Sequence, residues 1–91
     1  MTQDKINRDD SKYIYQQICD IILKRIKNRE YKKGKLIPSE RELSNELDVS
    51  RYTIRKAIEE LVHQGYLYRV QGTGTFVYDT HGEKDKKNNN K

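Results

Sequence analysis

The length, composition and charge of the chain limit what it can be. Its 91 residues, 33% of them hydrophobic, suffice for one small core but not for two domains or an enclosed pocket of drug-like size. The 19 Lys and Arg against 14 Asp and Glu give a net charge of +5. That balance favours a nucleic acid or an anionic membrane surface as partner, although solubility alone also accounts for it.

The single cysteine, Cys19, excludes an internal disulfide and a thiolate zinc site. Because it lies among isoleucines, we predict that it is a small core residue. The N-terminal residues contain no apolar signal-peptide core, and no apolar run approaches the roughly 20 residues that span a bilayer. We therefore expect a soluble cytoplasmic protein that uses no membrane, metal or cofactor.

The first part of the chain predicts one long helix. Residues 1–10 are polar and without periodicity, which predicts a disordered arm. From Ser11 onward, isoleucines recur at spacings of three and four, the pattern of a helix with one buried face; they are Ile14, Ile18, Ile21, Ile22 and Ile26. Tyr15, Cys19 and Leu23 widen this stripe, leaving apolar surface for a partner subunit or domain, and Arg25 interrupts it.

A basic segment and a short strand follow the helix. Residues 24–35 hold seven basic residues and one acid, Glu30. Residues 36–37 are long enough only for a short strand, which Pro38 would end. Three lysines of the segment are expected to attract a nucleic acid of any base sequence, by displacing its counterions. They are Lys32, Lys33 and Lys35.

Two helices joined by a tight turn are predicted next. Ser39 followed by Glu42 forms the reciprocal capping box that begins a helix, and this helix runs to about Leu47. After a turn at residues 48–49, Ser50 caps a second helix that extends to about Gln64. The pair is a helix-turn-helix at about residues 39–64.

The pattern changes from helical to alternating after residue 65. Residues 66–70 and 75–78 are rich in β-branched and aromatic residues and flank a turn with two glycines, which predicts a hairpin. Residues 80–91 are polar and of low complexity, which predicts a disordered linker or tail. The predicted fold class is mainly α with a small β-hairpin. It is a winged helix-turn-helix of three helices, a short strand and a two-stranded wing (66–78), in a domain at 11–79.

The second helix of the pair has the surface expected of a helix that reads DNA. On a wheel at about 100° per residue, one arc is apolar and would pack inward; it holds Ile54, Ala57, Ile58, Leu61 and Val62. The opposite arc holds Tyr52, Arg55, Lys56 and Glu59, with Arg51 and Thr53 at its borders. Recognition helices approach base edges in the major groove with such N-terminal residues.

The residue types on this helix suggest roles on DNA. Arg55 can offer a bidentate fork to O6 and N7 of guanine, whereas Arg51 reaches the bases only if the helix enters partly end-on. The Ser50 and Thr53 hydroxyls, with the amides of the first turn, can bind a phosphate. Tyr52 can contact either a thymine methyl or a phosphate, and the sequence does not choose between them.

Contacts from outside this helix are also expected. Arg41 points away from the buried side of its own helix and can reach the DNA backbone or a base. Gly72 and Gly74 expose bare backbone at the wing, where Gln71 and Thr73 are suitable polar contacts for a minor groove. Replacing Gly72 with valine is expected to weaken DNA binding and to leave thermal stability little changed.

Each of these features alone is common in proteins with other functions, and it is their order along the chain that favours DNA binding. His63 and His81 are too far apart in sequence to suggest a catalytic site, and no nucleophile–base grouping occurs, so an enzyme is disfavoured. A winged helix that binds a protein or RNA is the more serious alternative. Duplex preference and a steep loss of affinity with salt separate the two.

Four segments closely resemble the N-terminal domain of GntR-family bacterial transcription regulators: 37–43 (IPSEREL), 49–57 (VSRYTIRKA), 64–67 (QGYL) and 71–77 (QGTGTFV). The resemblance spans residues 13–77, and the wing is most similar to the HutC-type or YtrA-type branches. The chain departs from the family at Lys33-Gly34-Lys35, where Pro-Gly-Asp is frequent, and at Tyr52, where threonine is frequent.

The resemblance implies a homodimeric repressor that binds a palindromic operator in double-stranded DNA. It also implies a small-molecule effector, bound by a C-terminal domain that these residues do not contain, which favours a truncated chain over an unusually short regulator. Base or nearby phosphate contacts are implied for Arg41, Arg51 and Arg55. Phosphate contacts are implied for Ser50 and Thr53, and a minor-groove contact for Gly72.

Overall fold

A computed structural model of the chain describes Ile6 and residues 13–79. The element order is α1 (Ile14–Lys27), α2 (Glu40–Leu47), α3 (Arg51–His63), β1 (Leu67–Val70) and β2 (Gly74–Val77). Helix α3 packs against α1, α2 and β1, and it is therefore the central element of the fold. The predicted class, three helices with a two-stranded antiparallel wing, is confirmed.

The predicted arm and tail lie mostly outside the described residues. The exception is Ile6, which is partly buried against the core, so at least this residue of segment 1–10 packs on the domain. The described part of the first helix begins at Ile14, after Tyr13, and the expected start at Ser11 lies outside the described residues. None of the described helices is both long and apolar enough to cross a membrane.

Local capping sets the start of each helix in the helix-turn-helix. Ser39 Oγ accepts a hydrogen bond from the Glu42 N–H at 3.1 Å, and Glu42 Oε1 accepts one from the Ser39 N–H at 2.8 Å. The predicted capping box is therefore confirmed. Helix α2 ends where Asp48 turns into the left-handed region at φ +58°, and Ser50 then caps α3 by accepting from the Thr53 N–H at 3.1 Å.

The buried face of α3 agrees with the wheel. Ile54, Ala57, Ile58 and Leu61 are each at most 1% exposed, and Val62 is partly buried beside them. Cys19 lies in the same core, where its thiol donates to the Ala57 carbonyl at 3.5 Å. Burial raises the pKa of this thiol to about 11, so at neutral pH Cys19 is a protonated core residue, as predicted.

The wing is an antiparallel hairpin in which Leu67 pairs with Val77 and Val70 pairs with Gly74. The second strand thus begins one residue earlier than expected. The predicted short strand is reduced to a single bridge between Leu36 and Phe76, before Pro38. A side chain at Gly74 would place its Cβ 2.7 Å from Cδ2 of the exposed Leu36, and its φ of +142° is one that L residues rarely adopt, so glycine is favoured there.

Arg25 is buried rather than a mere interruption of the apolar stripe. Only 6% of the residue is exposed, and its guanidinium forms a bidentate pair with Glu46 of α2, at 3.0 Å from Nη1 to Oε1 and 2.5 Å from Nη2 to Oε2. Nη1 also donates to the Tyr31 hydroxyl at 2.6 Å, and the guanidinium carbon lies 5.5 Å from the centroid of the Tyr31 ring. This group ties α1, the basic segment and α2 together.

We predict that Glu46→Ala destabilises the domain by about 1–3 kcal/mol, because it removes the bidentate acceptor of a buried guanidinium. Glu59→Ala is the matched control, since Glu59 is an exposed carboxylate on α3 and should cost less than about 0.5 kcal/mol. Urea unfolding measures both free energies. Equal losses in the two variants would show that the Arg25 pair adds nothing to stability.

Candidate nucleic-acid interface

An open groove of about 820 Å³ lies between the start of α2, the start of α3 and the wing. It brings together residues that are far apart in sequence: Ser39, Glu40, Arg41, Glu42, Arg51 and residues 69–75 of the wing. Five of the predicted DNA contacts therefore line one groove, namely Arg41, Arg51, Gln71, Gly72 and Thr73. The other predicted contacts lie on α3, or immediately before it, outside this lining.

The exposed arc of α3 stands beside the groove. Tyr52 is 66% exposed, and both Arg55 and Lys56 are exposed. Lys56 has a partner that its sequence position does not reveal, because its Nζ lies 5.3 Å from the centroid of the Tyr15 ring of α1. Roles on DNA for Tyr52, Arg55 and Lys56 stay predictions.

The two hydroxyls predicted to bind phosphate lie side by side at the start of α3. Ser50 Oγ and Thr53 Oγ1 are 2.8 Å apart, and either can be the donor. The same Ser50 oxygen accepts from the Thr53 amide. A phosphate would meet these hydroxyls at the positive end of a 13-residue helix, which agrees with the predicted role without testing it.

Glu40 is the residue in this region that sequence reasoning missed. Its Oε1 accepts from Arg55 Nη2 at 3.1 Å and from Arg55 Nε at 3.3 Å. Its Oε2 lies 3.5 Å from Arg69 Nη2 of the wing. One carboxylate from α2 therefore joins α3 to the wing. The hydrogen bond from Arg55 is the largest of the effects that lower the pKa of Glu40, and the charges of Arg55, Arg69 and Arg51 act in the same direction.

The Glu40 carboxylate occupies the guanidinium fork of Arg55 that is predicted to bind guanine. Because the Arg55 side chain is 47% exposed, such a pair is weak and its partner can be exchanged at little cost. Glu40 can therefore hold the Arg55 and Arg69 side chains and release them to an anionic or acceptor surface. A carboxylate in the groove also repels phosphates, so a ligand gains most when it replaces the carboxylate with well-placed acceptors.

The tip of the wing is more constrained than expected. Gly72 has φ +83°, and although nothing lies within 4 Å of where a Cβ would stand, any L residue there is strained. The expectation that Gly72→Val leaves stability little changed is therefore wrong, because a β-branched residue would strain the turn itself. Gln71 and Thr73 beside it are exposed and are the better positions for testing contacts of the tip.

Lys32 and Lys33 of the basic segment lie at the end of the wing opposite to its tip. The Gly34 N–H donates to the Val77 carbonyl at 2.8 Å, which places Lys32 and Lys33 near the base of the hairpin rather than its tip. A groove between the helices and the tip therefore does not contain them. Within residues 13–79, no three His, Cys, Asp or Glu side chains group closely enough to hold a metal ion.

Comparisons with known proteins agree with this geometry. The model of the family described as "Bacterial regulatory proteins, gntR family" matches residues 14–77. The chain is 43% identical over 72 residues to the HTH-type transcriptional repressor NagR of Bacillus subtilis (strain 168), which covers 79% of this chain and 30% of that protein. The chain thus spans less than a third of the length of this relative.

Two solved structures are similar over most of the chain. A crystal structure of AraR(DBD) in complex with operator ORE1 has a TM-score of 0.67 and 49% identity, covering 69% of this chain and 77% of that one. YtrA from Sulfolobus acidocaldarius, a GntR-family transcription factor, has a TM-score of 0.74 and 31% identity, covering 98% and 96%. The first of these shares the present architecture in a form bound to operator.

We predict that Glu40→Gln raises affinity for random duplex DNA a few-fold, because a negative charge leaves the groove, while the ratio of operator to random affinity falls. Glu30→Gln is the control, since it removes the same charge from the wing-base end of the domain. Fluorescence anisotropy with both duplexes measures the two affinities. A parallel change in both variants would mean that Glu40 acts only through net charge.

The same pair gives a pH dependence of stability. The pKa of Glu40 in the folded state lies below its ordinary value of 4.5, so the stabilisation is present above that value and is lost as the pH falls through the folded pKa. The difference in unfolding free energy between the parent chain and Glu40→Gln should therefore shrink on acidification below pH 4.5. A difference that stays constant down to about pH 2–3 would contradict the pairing.

Proposed function

The chain belongs to the gntR family of bacterial regulatory proteins, its residues 14–77 form the winged helix-turn-helix DNA-binding domain of that family, and from this premise we propose that it reads an operator for a transcriptional repressor. The observation that carries the proposal is the groove that joins Arg41, Arg51 and the wing tip beside the exposed arc of α3. We propose that α3 enters the major groove and that the wing tip reaches the minor groove on the same side of the domain.

We propose a division of roles within this surface. Arg41, Arg51 and Arg55 face base edges or the phosphates next to them. Ser50 and Thr53 bind a phosphate at the start of α3, and Tyr52 and Lys56 add contacts along the exposed arc. Gln71, Gly72 and Thr73 approach the minor groove. In this division, a few side chains read the base sequence, and the others fix the position of the domain on the duplex.

The remaining features of the intact regulator are also proposals. A homodimer would place two copies of α3 on the half-sites of a palindromic operator. A small-molecule effector would act through a separate C-terminal domain, since the chain spans only 30% of its relative NagR. We further propose that residues 11–79 form the DNA-binding domain, that the chain has no catalytic activity and that it acts in the cytoplasm, where its DNA partner lies.

The salt dependence of binding tests the proposed function directly. A domain that neutralises several phosphates loses affinity for duplex in proportion to the logarithm of salt concentration. We predict such a linear loss, with duplex bound more tightly than a single strand of the same sequence. Equal or tighter binding of single-stranded RNA would favour the RNA-binding alternative instead.

Arg55→Ala tests base readout. We predict that it relaxes preference at one operator position and lowers operator affinity roughly tenfold to a hundredfold, with little effect on random duplex. Lys56→Ala, from the same helix face, is the matched comparison and should weaken both duplexes by similar factors. If Arg55→Ala also weakens both equally, Arg55 is a phosphate contact and its assigned role is wrong.

A further inference from the structure

A second groove of about 560 Å³ lies at the base of the wing, beside the end of α1. Its apolar part is formed by Ile26, Tyr31, Tyr66 and Tyr78, and its rim by Lys27, Arg29, Lys32 and Lys33. We call it the base groove. None of these residues belongs to the proposed DNA contacts, so operator reading does not account for the base groove.

The base groove is distant from the operator surface. The hairpin register runs from Leu67–Val77 at the base to Val70–Gly74 near the tip, and strands rise about 3.3 Å per residue, so Tyr66 lies roughly 15–20 Å from Gly72. The Debye length at physiological salt is about 8 Å. DNA held at the wing tip is therefore largely screened from the charges of this rim.

The charge of the base groove indicates an anionic occupant. Its lining has four cations and no carboxylate. Glu30, the acid within the basic segment, has its Oε2 4.0 Å from Arg25 Nε instead. The chain's own ends do not supply the missing charge, because residues 80–91 hold four lysines against two acids and residues 1–12 hold three bases against three acids. Within these 91 residues, neither end carries a net negative charge that would complement the rim.

The aromatic residues favour a protein segment over a nucleic acid. Arg25 lies over the Tyr31 ring, and Tyr78 makes an edge contact with Tyr68, whose ring also stacks on Phe76 at 5.4 Å. Single-stranded nucleic acids bind by stacking successive bases on open ring faces, and the rings of Tyr31 and Tyr78 are already engaged. The exposed Tyr66 and the partly buried Ile26 fit an apolar side chain instead.

We propose that the base groove docks an acidic segment of a partner protein, in which an apolar side chain lies between carboxylates. The apolar side chain would cover Tyr66 and Ile26, and the carboxylates would pair with the lysines of the rim. Because this surface and the operator groove are at opposite ends of the wing, the domain can hold DNA and the partner at once. The inference goes beyond operator reading and does not depend on it.

The test uses the whole chain, labelled with ¹⁵N, and a short peptide in which phenylalanines alternate with pairs of glutamates. We expect saturable amide shifts in residues 26–33 and around Tyr66 and Tyr78. The same peptide with glutamine for glutamate, or glycine for phenylalanine, should bind far more weakly. The absence of saturable shifts, or shifts confined to Arg41, Arg51 and the wing tip, would overturn the proposal.

A matched pair of double variants separates docking from general charge. Lys32→Gln/Lys33→Gln should weaken peptide binding about tenfold, whereas Lys24→Gln/Lys35→Gln, which removes the same charge from outside the lining, should leave it nearly unchanged. All four lysines are exposed, so both variants should fold, and amide spectra verify this. Equal weakening in the two variants would reduce the effect to net charge and contradict a built site.

Two further outcomes would replace the partner protein with another occupant. If the Lys32→Gln/Lys33→Gln variant loses duplex affinity and salt dependence while peptide binding persists, the base groove is a DNA backbone contact. If the parent chain self-associates in sedimentation experiments and this variant does not, the occupant is a second copy of the chain. The proposal predicts unchanged operator affinity, and self-association that is the same in the parent chain and in this variant.

Discussion

The burial of one face of α3 is the constraint on which the rest of the structure depends. Ile54, Ala57, Ile58 and Leu61 are withdrawn from water, and their removal from solvent fixes the rotation of the helix about its own axis. The opposite arc is then exposed by necessity, and Arg55 and Tyr52 lie on it. A polar substitution on the buried face would disturb DNA reading by rotating or loosening α3, without altering any residue proposed to contact DNA.

The position of α3 relative to the other elements must be fixed as well as its rotation. Two groups of charged side chains contribute to that position. The buried pair between Arg25 and Glu46 ties α2 to α1, while Glu40 connects α2 to Arg55 of α3 and Arg69 of the wing. The two pairs differ in exposure and hence in consequence. In the first pair the Arg25 side chain is buried, so the pair contributes to stability. In the second pair Arg55 is open to solvent, so it can exchange Glu40 for a DNA group.

Much of the fold could be predicted from the sequence because its signals are local. The capping box at Ser39, the cap at Ser50 and the period of α3 each involve residues within a few positions of one another, and the structure contains all three. The hairpin followed from alternation and two glycines, although its second strand begins one residue earlier. The strand predicted at residues 36–37 does not form in full. Leu36 instead makes a single isolated bridge to Phe76.

The pairings that the sequence did not reveal connect residues far apart along the chain. Arg25 and Glu46 are 21 positions apart, and Arg55 and Glu40 are 15 apart; no periodicity relates such positions, and only the packed helices bring them together. From sequence alone, Arg25 is an interruption of an apolar stripe and Glu40 an ordinary first-turn acid. The strain at Gly72 escapes prediction for a different reason, because residue type indicates freedom of φ but not the value that φ adopts.

The central claim is that α3 and the wing together read base sequence in duplex DNA. Selection of duplexes from a random pool by the purified 91-residue chain tests it most directly. Operator reading predicts enrichment of a defined half-site, with inverted repeats at a fixed spacing if two copies bind together. Recovery of a pool as random as the starting one, at salt concentrations where the chain still binds, would show that it holds the phosphate backbone without reading bases.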